Sequence, residues 1–156
     1  MIILGVDPGT TRVGYGLIKK EGKKLSHLKS GLLKIKSTRY GSRLVELSRS
    51  FENLLKKHRP DVVALEQLYF MKNRKTALDV SQARGVLMLL VVKSGLKVRE
   101  LAPSTIKKAV TGYGLASKKD VAKMVGYFLK INVEDKLDDV TDALAIAIVA
   151  SEPSWD

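Results

Sequence analysis

Apolar residues in the N-terminal third of the chain fall into short runs with the spacing of β-strands. Residues 2–6 form an apolar run that ends in Asp7 and is followed by a Pro-Gly turn, a pattern typical of a buried strand. Residues 13–18 and 25–35, separated by Glu21-Gly22-Lys23, predict two further strands. We therefore expect the sheet to begin with three strands in an antiparallel meander.

The spacing of apolar residues then changes to that of amphipathic helices. Residues 42–58 predict a helix that Arg59-Pro60 ends. Residues 61–66 form another apolar strand, which again ends in an acid, Glu66. Further helices are predicted over residues 76–93, 104–111, 118–130 and 138–151, and a fifth strand over 97–101. This order is typical of an α/β protein with a five-stranded mixed sheet and helices on both faces.

The composition limits the number of domains and the kind of metal site. With 156 residues, 45% of them hydrophobic, the chain can bury one core, so we expect a single domain over residues 1–156. The absence of cysteine, with only two histidines, favours oxygen ligands for any metal ion. The first residues carry no basic leader, and no apolar run reaches the ~20 residues needed to span a bilayer. We therefore expect a cytoplasmic protein.

The net charge of +12 is unevenly distributed along the chain. Residues 131–156 contain seven acids and one lysine, a balance of −6, so residues 1–130 carry +18. A basic body attracts polyanions because Lys and Arg displace counterions from phosphates. The charge therefore favours a nucleic-acid partner, although a merely solvated surface could have the same composition.

Four acidic positions carry the candidate chemistry. Asp7 and Glu66 end two apolar strands, so their carboxylates converge if these strands are parallel neighbours. Asp139 and Asp142 lie three residues apart at a predicted helix start, but Asp138 is also one turn from Asp142, so spacing leaves both alternatives open. Each acid taken alone could be a turn residue or a helix cap.

Taken together, the acids favour a metal site. Half-buried carboxylates at strand ends are costly unless they are paired or bind a metal. Mg²⁺ prefers such oxygen ligands, and two ions about 4 Å apart can activate a water and stabilise a leaving oxygen. Carboxylates at the rim of a basic body therefore predict phosphodiester hydrolysis.

Two further segments suggest contacts with nucleic acid. Tyr69 and Phe70 precede the basic run Lys72-Asn73-Arg74-Lys75, and aromatic rings beside cations can stack on an unpaired base. Packing of both rings in the core is the alternative. Ser117-Lys118-Lys119-Asp120 has the form of a capping box, whose exposed amides and lysines would also suit a phosphate.

One predicted helix is apolar on all sides. Residues 86–92 contain seven consecutive apolar side chains, which the outer helix of a monomer should not have. A fully buried core helix and a symmetric dimer contact both remain open.

Five segments together resemble the RuvC family of Holliday-junction resolvases, which are RNase H-like nucleases. They are Ile3-Leu4-Gly5-Val6-Asp7-Pro8-Gly9, Ala64-Leu65-Glu66-Gln67, Lys72-Asn73, Ser81-Gln82-Ala83-Arg84-Gly85 and Asp139-Val140-Thr141-Asp142-Ala143-Leu144-Ala145. The segments occur in the family's order and at close to its spacing, and they cover residues 2–150. The resemblance implies an RNase H-like fold.

The resemblance also implies an activity and its residues. It indicates a Mg²⁺-dependent endodeoxyribonuclease, with Mn²⁺ as a substitute ion, that resolves four-way DNA junctions by symmetric paired nicks in recombination and repair. Two ions per site would be held by the catalytic acids Asp7, Glu66, Asp139 and Asp142. The resemblance thus favours Asp139 over Asp138.

Contacts with DNA and with other proteins are implied in the same way. Tyr69 matches the aromatic that the family inserts into the junction, with Phe70 as the alternative. The other residues expected near DNA are Lys72, Asn73, Arg74, Lys107, Lys118 and Lys119. The family is homodimeric, and the branch-migration proteins RuvA and RuvB are its implied partners.

Three other functions share some of these features. Residues 4–11 also resemble the first phosphate loop of actin-like and sugar-kinase ATPases, but those proteins need two such domains. Another RNase H-like nuclease, acting on structured RNA or on RNA paired with DNA, is the nearer alternative. A basic DNA-binding module without enzymatic activity is the third.

Overall fold

The computed structural model describes residues 1–9, 11–68 and 74–152, and within these ranges it describes the side chains of all residues except Tyr40, Arg74 and Lys75. The strands are β1 (Ile2–Asp7), β2 (Arg12–Glu21), β3 (Lys24–Lys34), β4 (Val62–Glu66) and β5 (Lys97–Leu101). The helices are α1 (Tyr40–His58), α2 (Arg74–Lys93), α3 (Pro103–Thr111), α4 (Lys118–Leu129) and α5 (Asp138–Ala150). Every predicted element is confirmed, and most boundaries agree within two residues.

The five strands form one mixed sheet in the order β3-β2-β1-β4-β5. The first three strands pair antiparallel, as the meander predicts. β4 and β5 add on the other side of β1 in parallel. β1 is therefore the central strand and carries an antiparallel neighbour on one side and a parallel neighbour on the other.

Successive side chains of each strand pack on opposite faces of the sheet, where two separate layers of helices cover them. Leu4 and Val6 of β1 belong to a core that also contains Phe51 of α1 and Leu87 of α2. Ile3 packs on the other face, in a core built mainly by α3, α4 and α5. The predicted arrangement of helices on both faces is confirmed.

The structure differs from the sequence-based prediction mainly in the length of β2. This strand continues past Ile18 to Glu21, because Lys19 and Lys20 pair with β3 in the hairpin although they are polar. Its antiparallel register shifts between Leu17 and Ile18. Within the described residues, no helix is both long enough and apolar enough to cross a bilayer.

Candidate active site

The alternation of side chains along the central strands places two acids on the same face of the sheet. Val6 pairs with Leu65 in the parallel β1–β4 ladder, so Asp7 and Glu66 are the next residues along neighbouring strands. Val6 and Leu65 both face the α1–α2 layer. The acids that follow them therefore face the α5 layer, at the edge of the sheet where both strands end. The sequence predicted this convergence on the condition that the strands were parallel neighbours, and they are.

Three glycines allow α5 to approach that face of the sheet closely. A Cβ atom on Gly14 would lie 2.0 Å from the carbonyl oxygen of Asp139, and one on Gly5 would lie 2.1 Å from the carbonyl oxygen of Ala143. A Cβ atom on Gly16 would lie 2.7 Å from a methyl carbon of Leu144. These separations are far below van der Waals contact, so only glycine permits this position of the helix. Since Gly14 pairs with Asp7, the contact also sets the first turn of α5 beside the first acid.

Two basic side chains contact the acids of α5. The Nε atom of Arg12 lies 2.5 Å from the Oδ2 atom of Asp139. The Nζ atom of Lys118, the first residue of α4, donates a hydrogen bond to the Oδ2 atom of Asp142 at 3.1 Å and lies 3.6 Å from Asp138. Both contacts join chain segments that are distant in sequence. They hold the acids of α5 in place beside β1 and β2.

The structure separates the two acids that spacing alone could not. The side chain of Asp138 is 70% exposed and that of Asp139 is 25% exposed. Asp139 lies on the side of α5 that meets β2, whereas Asp138 points toward α4. This difference favours Asp139 as the third member of the acid group, in agreement with the resemblance.

Burial and mutual repulsion disturb the ionisation of the acids. Burial, followed by the charges of Glu66, Asp142 and Asp139, raises the pKa of Asp7 from 3.8 to about 8, although Lys118 opposes the shift. Burial and the charge of Asp142 raise the pKa of Glu66, against the opposing effects of Lys118 and Lys107. Burial also raises the pKa of Asp142 despite its hydrogen bond to Lys118. The carboxyl groups are therefore close enough for the charge of one to disfavour ionisation of another.

The acids favour the charged form of Lys118, whereas they disfavour the charged forms of one another. Burial lowers the pKa of its ammonium group, but the hydrogen bond and the charge of Asp142, with smaller contributions from Asp138 and Asp7, raise the pKa overall. Lys107, on α3, lies close enough to Glu66 to affect that carboxyl. The structure thus brings two of the three predicted phosphate-contacting lysines to the acids. Lys119, the second residue of α4, is exposed.

The donor set suits a hard divalent cation, because four carboxylates offer oxygen ligands of the kind that Mg²⁺ prefers. The Oδ2 atom of Asp139 is buried and accepts no hydrogen bond from any described residue, since the contact with Arg12 lacks hydrogen-bond geometry. Among the described residues, no three Asp, Glu or His side chains are already arranged to ligate a metal ion. Asp139 and Asp142 contact Arg12 and Lys118 instead. Rotation of these side chains would be needed for all four acids to ligate.

Sequence reasoning missed two arginines at the site. Arg84 of α2 donates a hydrogen bond from Nε to the backbone oxygen of Glu66 at 3.1 Å and forms an ion pair with Glu100 of β5. It therefore holds the end of β4. In the sequence, the only indication of a role for Arg84 was its place in one of the segments that resemble the family. Arg12 follows the turn after β1, and nothing in its spacing linked it to Asp139.

The predicted aromatic and basic DNA contacts cannot be placed. Tyr69, Phe70, Lys72 and Asn73 lie outside the described residues, and so does the side chain of Arg74. Their roles remain predictions.

Comparison with known proteins identifies relatives over nearly the whole chain. The family model described as crossover junction endodeoxyribonuclease RuvC matches residues 3–150. A protein of that name from Heliobacterium modesticaldum is 46% identical over 149 residues, which cover 95% of this chain and 92% of the relative.

Solved structures of RuvC from Thermus thermophilus are also similar to this chain. One structure of that protein has 30% sequence identity to this chain and a TM-score of 0.87. The same protein in complex with a Holliday-junction substrate is 29% identical, with a TM-score of 0.88. Each comparison covers 97% of this chain and 93% of the other. The predicted RNase H-like resolvase fold is confirmed.

Proposed function

Because the chain belongs to the RuvC family of crossover junction endodeoxyribonucleases, we propose that it resolves four-way DNA junctions by hydrolysing one phosphodiester bond in each of two opposed strands. The observation that carries this proposal is the convergence of Asp7, Glu66, Asp139 and Asp142 at one edge of the sheet. The acids come from β1, β4 and α5. After burial, the charges of the other three raise the pKa of Asp7, and the charge of Asp142 raises the pKa of Glu66. We also propose that residues 1–156 form a single nuclease domain and that the protein acts in the cytoplasm.

Nucleases of this family depend on metal ions, and we propose Mg²⁺, with Mn²⁺ as a substitute, for this chain. Asp7, Glu66, Asp139 and Asp142 would hold two ions. When bound, the ions would supply an activated water and stabilise the leaving oxygen. Two features support this assignment: the Oδ2 atom of Asp139 is buried and accepts no hydrogen bond, and the pKa of Asp7 is raised. A bound cation would supply the missing partner and offset the repulsion between the carboxylates.

The basic residues around the acids make the site compatible with a polyanion. Four carboxylates alone would repel a phosphodiester, but Arg12, Lys107 and Lys118 offset part of that charge. Lys118 has to leave Asp142 before that carboxylate can ligate with both oxygens. Its ammonium group would then be available to a phosphate oxygen beside the bond that is cut.

The paired nicks require two sites, and α2 offers a surface for a second copy. Leu87 and Leu90 face the core, whereas Leu78, Leu89 and Val92 are exposed on the opposite face of the helix. Exposed apolar side chains at this spacing suit a partner helix. We propose that two copies pair through this face, which would give the enzyme the two-fold symmetry of a four-way junction.

We also propose contacts with the junction DNA and with partner proteins, by analogy with the family. Tyr69 or Phe70 would stack on a base at the opened crossover, with Lys72, Asn73 and Arg74 on the backbone. RuvA and RuvB would deliver the junction to the dimer.

A nicking assay tests the activity. We expect cleavage of a mobile four-way junction in Mg²⁺, at symmetric positions, with little cleavage of linear duplex, flaps or an RNA·DNA hybrid. Asp7→Asn should abolish cleavage and leave junction binding unchanged or tighter, because it removes a ligand and a negative charge. Cleavage by Asp7→Asn near the wild-type rate would contradict the four-acid site, and preference for the hybrid would replace the proposed substrate.

A further inference from the structure

A groove lined by four lysines opens beside the acids on the side away from the sheet. It lies between α4, the segment 131–136 and the first turn of α5, and its volume is about 750 Å³. Its rim carries Lys118, Lys119, Lys123 and Lys136, and Ala122, Ile131 and Val133 form its floor. We call this feature the lysine groove.

The local sequence explains why the groove is open. Lys119, Ala122, Lys123 and Gly126 follow helical spacing, so they lie along one side of α4. The chain turns back after α4 through Lys130, whose φ is 54°. A Cβ atom on Gly126 would lie 3.1 Å from the backbone oxygen of Ile131, so glycine lets the returning segment pass close to the helix.

The charge of the groove is positive even though two acids also line it. Glu134 and Asp138 stand against the four lysines. Asp138 and Asp142 contact Lys118, but Lys119, Lys123 and Lys136 form no ion pair with any other described residue. Three lysines therefore place positive charge along the groove without a direct ion pair to an acid.

We propose that the lysine groove binds the phosphodiester backbone of the DNA strand that continues from the cleaved bond. The inference rests on the proposed function, since it extends the same substrate beyond the acids. Lys118 belongs both to the groove and to the acid group, so a strand that lies at the acids can continue along α4. From Lys118 to Gly126 the helix rises about 12 Å, which corresponds to about three phosphates at ~3.4 Å per residue of one DNA strand.

The arrangement favours a nucleic acid over an acidic peptide. The lysines are spread along the length of the groove rather than gathered at one point, which matches a repeating charge. The apolar floor is short and flanked by lysines on both sides, so it can accommodate the sugar or base of a strand whose phosphates contact the rim.

The salt dependence of junction binding tests the groove without cleavage. We would measure the affinity of the full-length protein for a four-way junction in EDTA, over a range of salt concentrations, for wild type and for Lys123→Gln/Lys136→Gln. Each lost phosphate contact should reduce the slope of log Kd against log salt concentration by about 0.9 to 1. The slope for the double variant should therefore be lower than that of the wild type by about 2. Lys123→Arg/Lys136→Arg should retain the wild-type slope.

The matched control is Lys23→Gln/Lys24→Gln, which removes the same charge at the β2–β3 turn, at the opposite end of the sheet from the acids. An equal loss of slope in the control, or no loss in the groove variant, would overturn the proposal. If the double variant does not fold, Lys123→Gln alone should lose about 1. Failure of the wild type to prefer a junction over linear duplex would count against the proposed function, whereas the comparison between the variants tests the groove alone.

Discussion

The Nε atom of Arg12, the first residue of β2, lies 2.5 Å from the Oδ2 atom of Asp139, the second residue of α5. The contact joins the two elements that flank Asp7. It also places a fixed cation on an oxygen that we assign to a metal ion. Arg12 and the metal should therefore compete for Asp139.

Replacing Arg12 with glutamine should strengthen metal binding. An ion pair with one exposed partner contributes about 0.2–1 kcal/mol, so we expect Mn²⁺ to bind up to about fivefold more tightly to Arg12→Gln. Titration of Mn²⁺ followed by electron paramagnetic resonance measures this without DNA. Arg49→Gln, at an exposed position on α1, is the control. Weaker binding by Arg12→Gln would show that Arg12 orients Asp139 rather than competing for it.

The two adjacent aspartates of α5 should differ in their effect on cleavage. Asp139→Asn should reduce single-turnover cleavage by about 100-fold, because it would remove a charged oxygen from the proposed metal site. Asp138→Asn should have a small effect, since that side chain is exposed and faces α4. The reverse ranking would assign the third ligand to Asp138.

The pH dependence of stability should reveal the ionisation of Asp7. Its pKa is about 8 in the folded protein and 3.8 as the ordinary value, so folding favours the protonated acid. The stability from this group is fully present below about pH 4 and is lost as the pH rises toward 8. In EDTA, the melting temperature of Asp7→Asn should therefore rise relative to that of the wild type as the pH increases from 5 to 8.

The control for this measurement is Asp135→Asn, which removes an exposed charge. Its difference from wild type should change little over the same pH range. A constant difference for Asp7→Asn as well would mean that Asp7 ionises normally in the folded protein.

The two neighbouring leucines of α2 should give opposite results. Leu89 is 57% exposed, so Leu89→Lys should give a folded monomer. Leu90 is 6% exposed, so Leu90→Ala should cost about 2–5 kcal/mol of stability through the cavity that it leaves. Sedimentation and thermal melting distinguish these effects. Val45→Lys, at an exposed apolar position on α1, should leave the oligomeric state unchanged, and a Leu89→Lys dimer would exclude this face from the interface.

Gly14 should be intolerant of a side chain. A methyl group there would meet the backbone oxygen of Asp139, so Gly14→Ala must displace the first turn of α5. We expect a loss of about 1–3 kcal/mol in stability and slower cleavage per folded molecule. Gly41→Ala is the matched control, because a Cβ atom there would meet no atom of another element within 4 Å. Normal cleavage by folded Gly14→Ala would mean that the acids tolerate a shift of α5.

Local sequence predicted those parts of the site that depend on one element at a time. Asp7 and Glu66 were recognisable because each ends an apolar strand run, and Asp139 and Asp142 because they share one side of a helix start. The choice between Asp138 and Asp139 depends on which side of α5 meets β2, and that side is set by Gly14. No pattern within a single element contains this information.

The contacts of Arg12 and Arg84 could not be predicted from the sequence either. Arg12 and Arg84 have ordinary positions in their own elements, and each acquires its contact only when a distant element packs against it. The apolar character of residues 86–92 was similarly ambiguous. Only the packed structure shows that one side of this helix is core and the other is exposed.

The four acids come from three elements that are far apart in the chain, on β1, β4 and α5. Neither the N-terminal meander nor the C-terminal helices contain a complete set. If cleavage needs all four acids, as we propose, partly folded chains, including those emerging during synthesis, cannot cut DNA. Activity would then appear only after the last helix has docked on the central strand, so the fold itself would delay cleavage until the structure that selects the substrate is complete.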